Sequence, residues 1–231
     1  MKFNNKLIKD CIEQNIQLIK KGLAIQNFGN VSSRLDNDHF VIKPSGSNLT
    51  KLSLKDMPII RIKDGKQMLG NLKPSTDTVT HLQIYKKFSS VGGISHSHSK
   101  FATAWAQANM KIPILGTTHA DFWIKDIPIT RHLKKKEIAN NYEKNTSKVI
   151  FEKMNELKLN DFNCPGILVV NHGPFSWGKN ALEAVNISEI MEYIAELAFI
   201  SFSLNSKSKI SKMLSNKHYN RKKSKRAYYG Q

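Results

Sequence analysis

The stretch Ile167-Leu168-Val169-Val170-Asn171-His172-Gly173-Pro174 decides how this chain is read. Its four apolar residues, mostly β-branched, carry no charge, which is the pattern of a strand buried on both faces. Gly173-Pro174 must turn, so His172 falls at a strand end, a common place for site residues. Working outward, strand-like runs lie at 39–43, 59–62 and 93–98. Helical spacing places Leu7, Ile8, Cys11, Ile12, Ile16, Leu18 and Ile19 on a helix over 4–22 that ends at Gly22. Pro74-Ser75-Thr76-Asp77-Thr78 supplies cap chemistry ahead of Val79, Leu82, Tyr85 and Phe88. Residues 136–157 read as one helix, and 180–204 as a long, largely buried one. Strands mixed with helices, some buried on both faces, predict a layered α/β domain. No Gly/Ser linker, low-complexity block or repeat divides the chain, so one domain over 1–231 is expected.

Composition narrows the function classes. The chain has 231 residues, with 36 Lys and Arg against 18 Asp and Glu, a formal charge of +18. Such a charge raises the question of a nucleic-acid partner. Yet 31 of the basic residues are Lys and only 5 are Arg, the better phosphate and base reader. With 21 Asn and 24 Ile, the excess matches an A-rich coding bias spread over solvated faces. No nucleic-acid role is expected, although the tail over 207–231 concentrates nine basic residues and no acid. Tyr219, Tyr228 and Tyr229 interleave there, as in an RNA-binding arm or an arm packed on a neighbouring subunit. The first residues lack an apolar signal core, and no uncharged run is long enough to span a bilayer. Cys11 and Cys164 exclude a disulfide framework and fit a reducing cytoplasm, the expected location.

The histidines carry the chemistry. In Ile94-Ser95-His96-Ser97-His98-Ser99, two imidazoles two apart on a strand share a face, roughly 6.5–7 Å apart along it. They can meet one metal. With His172 they make three neutral imidazoles with an open position, the usual catalytic zinc arrangement. A hydrogen-bonded His pair without metal is the alternative. Asp77 sits at a helix cap. Its ordinary use is capping, its other use metal ligation or orientation of a ligand. Asp121, in Thr117-Thr118-His119-Ala120-Asp121 before Phe122-Trp123, is either a turn aspartate or an acid/base. Gly29-Asn30-Val31-Ser32-Ser33 and Lys43-Pro44-Ser45-Gly46-Ser47 can form anion nests, with Ser75 and Thr76 a third donor set at a helix start.

Taken in order, these segments resemble the class II zinc aldolase and epimerase family of sugar-phosphate enzymes. Trp105-Ala106-Gln107-Ala108, His172-Gly173-Pro174-Phe175-Ser176-Trp177-Gly178 and the ending Ala227-Tyr228-Tyr229-Gly230-Gln231 add to the match. It covers nearly the whole chain. The Thr117–Asp121 block and the Tyr-Tyr-Gly-Gln ending belong more narrowly to the epimerases. The resemblance implies a three-layer α/β/α domain around a mostly antiparallel mixed sheet, assembled as a homotetramer. It implies one Zn2+ per subunit on His96, His98 and His172, with Asp77 at or beside it. The substrate phosphate would lie among Asn30, Ser45, Gly46, Ser75 and Thr76, with Lys43 near. Asp121 would be one acid/base and Tyr229, on an arm over 207–231 completing a neighbouring subunit's site, the other. Thr117, Glu143 and His218 match positions near that site.

The implied activity interconverts L-ribulose 5-phosphate and D-xylulose 5-phosphate by breaking and re-forming the bond between carbons 3 and 4. Such a reaction serves pentose use, arabinose catabolism included. Two alternatives stand beside it: an aldolase of the same family that releases its products, and a Lys-rich RNA-binding protein. One departure touches the tail. Lys222-Lys223-Ser224 stands where the family more often has Lys-His-Gly, and a lost Gly removes a φ > 0 option.

Overall fold

The computed structural model describes residues 3–224 and 227–228. The first helix forms as α1 (Asn5–Lys20), with Asn4 accepting from the Lys6 N–H as its cap. Its buried face carries Ile8, Cys11 and Leu18, and two polar residues, Gln14 and Asn15. The Asn15 amide donates to the carbonyls of Cys11 (2.8 Å) and Val31 (3.1 Å) and accepts from the Val31 N–H (2.8 Å). This fully satisfied amide fastens α1 to the first strand.

Four strands follow as an antiparallel meander: β1 (Asn30–Arg34), β2 (His39–Ile42), β3 (Ile59–Arg61) and β4 (Gln67–Leu69). Then come α2 (Thr78–Lys87), β5 (Gly93–His96), α3 (Lys100–Gln107) and α4 (Thr117–Ala120). After α5 (Lys135–Ala139) and α6 (Tyr142–Glu156), β6 (Gly166–Val169) and β7 (Gly173–Gly178) form a hairpin, followed by α7 (Ala181–Leu204) and α8 (Lys212–Lys223). The sheet order is β4-β3-β2-β1-β5-β7-β6, and every strand pair is antiparallel. The parallel contribution is a single bridge, Ile129 to Leu168.

Register decides what each face holds. Asn30 and Ser32 on β1 lie opposite His96 and Ile94 on β5, which lie opposite Phe175 and Trp177 on β7. That face packs under α2 and α6, with Phe40, Tyr85, Ile94, Phe175 and Trp177 in the main core. The other face presents Ser95 and Ser176, whose hydroxyls join Ser188 of α7 at 3.0 and 2.7 Å. Helices α1 and α7 cover it. The result is the expected three-layer α/β/α arrangement. Glu192 of α7 receives the N–H groups of Phe101 (2.7 Å) and Ala102 (2.9 Å), capping α3 from a distant helix just after the histidine pair.

Two expectations are corrected. Residues 136–157 are two helices, because Asn140 is extended and Asn141 is left-handed at φ 55°, ψ 48°. Asn tolerates that conformation and competes for local backbone bonds, so the chain turns there. Helix α7 is buried only on its sheet side; Tyr193, Phe199, Ile200 and Leu204 are exposed. Among the described residues no helix is long and apolar enough to cross a membrane.

Candidate active site

Strand β5 ends at His96, so the strand expected over 93–98 is two residues shorter and His98 lies in the link to α3. The chain there brings the two rings closer than a regular strand would, with centroids 4.9 Å apart. His172 arrives from the β6–β7 hairpin, after Asn171 at φ 57°; its N–H donates to the Val169 carbonyl. Its ring centroid is 4.6 Å from His96 and 5.3 Å from His98. One donor nitrogen from each of the three lies within 4.8 Å of the others.

The environment keeps these imidazoles neutral. Burial lowers His96 to about 3, the Asp77 charge opposing it, and burial also lowers His98 and His172. His96 stacks on Phe175 at 4.1 Å, and its Nδ1 donates to the Pro174 carbonyl at 3.0 Å. That bond fixes the proton on Nδ1 and leaves Nε2 as an open acceptor. Nε2 is buried and has no hydrogen-bond partner among the described residues. An orphaned acceptor in a core is costly unless something else takes its lone pair. Three converging neutral nitrogens, one of them orphaned, fit a divalent metal.

Asp77 does not cap α2: its side chain makes no capping bond. Instead its Oδ2 accepts from Asn30 Nδ2 at 2.7 Å and lies 4.0 Å from His96 Nε2. Burial pushes its pKa up, but His96, His81, His172 and the Asn30 bond outweigh this and hold the carboxylate below its ordinary range. The capping reading is therefore replaced by a carboxylate turned toward the histidines. Beneath it, His81 Nδ1 is 2.7 Å from Ser32 Oγ, which is 2.9 Å from the Tyr85 hydroxyl. Burial lowers His81 to about 4, so this layer is neutral.

Above the histidines opens a cleft of about 240 Å³. Asn30, Lys43, Ser45, Gly46, Ser75, Thr76, Asp77, Glu143, His98 and His172 all line it, joined by Asn27, Phe28 and Tyr142. The two loops expected to take an anion are laced together. The Ser45 N–H donates to the Lys73 carbonyl (2.9 Å) and the Ser75 N–H to the Lys43 carbonyl (3.0 Å). Those two N–H groups are thus occupied, and the same loops carry the hydroxyls of Ser45, Ser75 and Thr76. Gly46 turns at φ 60°, and Gly29 passes so near β5 that a Cβ would sit 2.7 Å from the His96 carbonyl. Lys43 is buried, donating to the carbonyls of Asn27 (2.5 Å) and Gly29 (2.8 Å). Burial lowers its ammonium to about 8, Asp77 partly opposing.

Asp121 is placed elsewhere. It follows α4 and is buried against α8, where Arg221 donates to it at 3.0 and 3.2 Å and His218 Nδ1 lies at 3.2 Å. Thr117 opens α4, and its carbonyl accepts the Asp121 N–H at 3.0 Å. Asp121, Thr117 and His218 thus form one cluster and do not line the cleft of their own chain. Lys222 lies over the Phe122 ring at 3.8 Å, and Ser224 takes φ −83°, so position 224 needs no glycine here. Tyr229 lies outside the described residues.

Sequence reasoning missed Tyr142, Phe28 and Phe175. Phe28 sets its ring 5.9 Å from His98, and the Tyr142 hydroxyl is 3.3 Å from His172 Nδ1. Burial and the Asp77 charge push the Tyr142 phenol up, so it stays protonated. The Asn140-Asn141 pair ahead of Tyr142-Glu143 was a readable signal of a helix start there.

The chain matches the Class II Aldolase and Adducin N-terminal domain family over residues 9–199. Proteins called L-ribulose-5-phosphate 4-epimerase UlaF from Salmonella paratyphi C (strain RKS4594) and from Salmonella typhi are each 44% identical over 229 residues. Those alignments cover 98% of this chain and 99% of theirs. Among solved structures, an L-fuculose 1-phosphate aldolase superposes with a TM-score of 0.79 at 20% identity, covering 94% of this chain and 96% of that one. A sugar-phosphate aldolase from Thermotoga maritima superposes at 0.67, with 21% identity over 87% and 97%. The fold, the histidine cluster and the extent of these alignments agree, and the chain belongs to the class II aldolase family.

Proposed function

We propose that this protein is an L-ribulose-5-phosphate 4-epimerase that uses one Zn2+ per subunit. The carrying observation is the neutral trio His96, His98 and His172, with an orphaned Nε2 on the buried His96, two of whose rings, His98 and His172, line a hydroxyl-bearing cleft. The full-length likeness to the Salmonella epimerases supplies the substrate. His96, His98 and His172 would hold the ion, with Asp77 beside it. A bound divalent metal supplies a Lewis acid that stabilises negative charge on substrate oxygens.

The chemistry assigns the remaining roles. The substrate ketone is at carbon 2 and the inverted centre is carbon 4, so deprotonating the carbon 4 C–H is not activated. Cleaving the bond between carbons 3 and 4 is. A base takes the proton of the carbon 4 hydroxyl, the bond breaks, and the electron pair passes into an enediolate of dihydroxyacetone. Glycolaldehyde phosphate is the other fragment. Turning its aldehyde and re-forming the bond on the opposite face, with a proton returned to the new alkoxide, gives D-xylulose 5-phosphate. Inversion requires a proton carrier on each side of the aldehyde, Asp121 and Tyr229 in our reading. Asn30, Ser45, Gly46, Ser75, Thr76 and Lys43 hold the phosphate so the fragment turns without leaving. Glu143 lines the same cleft.

Asp121 lies outside its own chain's cleft, which supports a homotetramer whose α4–α8 corner, with the arm over 207–231, serves a neighbouring chain. Small-molecule turnover and two buried free cysteines support a cytoplasmic enzyme of carbohydrate catabolism.

Lys43 gives the phosphate grip a pH signature. Its folded pKa is lowered to about 8, so its positive charge is lost as pH rises through about 8 rather than at the ordinary Lys value. Inorganic phosphate, measured by calorimetry on the free enzyme, binds progressively more weakly between about pH 7 and pH 9. Lys43→Met starts weak and loses that dependence; an unchanged pH profile in the variant removes Lys43 from the grip.

The deciding experiment incubates the protein with L-ribulose 5-phosphate and assays D-xylulose 5-phosphate with and without a chelator. Chelator-sensitive formation is expected. Free glycolaldehyde phosphate as the accumulating product would replace the epimerase reading with an aldolase.

A further inference from the structure

We propose that Tyr142 is a positioning residue for the metal centre: its hydroxyl, 3.3 Å from His172 Nδ1, fixes which nitrogen of His172 faces the other two histidines. The inference rests on the metal-centre reading above.

The three histidines are held unequally. His96 sits at the end of a central strand, stacked on Phe175, with Nδ1 bonded to the Pro174 carbonyl. Its orientation and tautomer are set by the sheet itself. His172 has no such frame. It follows a left-handed residue in a hairpin turn and is partly exposed. A neutral imidazole that gives one nitrogen to a metal carries its proton on the other, and that N–H needs an acceptor to stop the ring turning. The Tyr142 hydroxyl is in that place. It accepts from Nδ1–H, which leaves Nε2 for the cluster, and it keeps its own proton to donate onward. At 3.3 Å the contact lies just beyond the usual N–H···O range of about 2.7–3.2 Å.

The fold places this hydroxyl with some care. The break at Asn140-Asn141 starts α6 afresh, so Tyr142 is its first residue. Thr80 Oγ1 of α2 donates to the Glu143 carbonyl at 2.8 Å. That bond ties the start of α6 to the helix that Asp77 precedes. Thr146 Oγ1 donates to the Tyr142 carbonyl at 3.0 Å. Both ties use backbone oxygens, so removing the phenol oxygen leaves them in place.

The test is Tyr142→Phe in the full chain. Parent and variant are stripped with a chelator and titrated with Zn2+ against a chromophoric competitor, then loaded with Co2+ for its visible spectrum. The variant should bind Zn2+ about 10–100-fold more weakly, the range for a lost partner of a ligating histidine. Its Co2+ spectrum should shift, and the metal-free proteins should melt together. Parental affinity and spectrum in Tyr142→Phe would overturn the role. So would weaker binding with an unchanged spectrum and a lower melting point for the metal-free variant, which would mark a packing effect. A parent chain that binds neither ion would remove the metal centre and this inference with it. No substrate enters the experiment, so its result is independent of which sugar phosphate is turned over.

Discussion

His96→Asn is expected to leave a folded protein without bound metal and to lower turnover by about three orders of magnitude or more. Lewis-acid stabilisation is worth several kcal/mol, and each ~1.4 kcal/mol is tenfold in rate. The substitution separates the two jobs of this ring. An asparagine amide nitrogen sits near where Nδ1 was, so it can still donate to the Pro174 carbonyl that now receives His96 at 3.0 Å. What disappears is Nε2, the buried acceptor with no partner. Losing part of the stack on Phe175 costs stability, but the site is one residue at a strand end within a large core. Circular dichroism should therefore show the parental fold while metal analysis shows none. Parental activity together with full metal content would remove His96 from the ligand set. Parental activity with no metal would sink the centre altogether.

The pH behaviour of that centre follows from the same burial. All three imidazoles are lowered from their ordinary value, His96 to about 3. They are neutral at pH 7, so an incoming cation displaces no proton there, and competition from protons begins only as pH falls below the ordinary His range.

How much of this was readable follows the range of each contact. The β6 run is a local pattern and became the strand it suggested. The strand carrying His96 stops there, short of His98, and the turn falls at residues 170–172, with Gly173 and Pro174 already in β7. That three histidines meet needed the register of β5 against β7, which no local window carries. Asp77 shows the limit well. Locally it is a cap residue, and only the Asn30 amide, 47 positions away in sequence, turns it toward the histidines. The helix break at Asn140-Asn141 was lost because apolar spacing continues across it. Tyr142 was lost with it, since its partner His172 lies 30 residues on. The exposed side of α7 misled for the opposite reason. Its apolar residues run all round, and composition alone cannot say which side meets the sheet.

The second large effect concerns ownership of the proposed proton carriers. Asp121 is held by Arg221 and His218 of its own α8, while the cleft over the histidines is lined without it. If the α4–α8 corner reaches a neighbour's cleft, each working site takes its metal from one chain and Asp121 from another. Asp121→Asn alone should then cut turnover by about 10²–10⁴-fold, the usual worth of a positioned acid or base, with metal content unchanged. His96→Asn alone is inactive for the other reason. Mixed in equal amounts and reassembled, the two dead variants should regain activity at about a quarter of the sites, because a cyclic head-to-tail interface pairs cleft and corner at random. No regain in assemblies shown by mass to contain both chains would return Asp121 to its own chain's cleft. Crossing Asp121→Asn with Tyr229→Phe then locates the second carrier. If both residues ride on one corner, this cross stays dead while the first recovers. If it recovers as well, the two carriers come from different chains and flank the aldehyde from opposite subunits. Either pattern leaves the arm in the site; a Tyr229→Phe enzyme of parental activity would take it out.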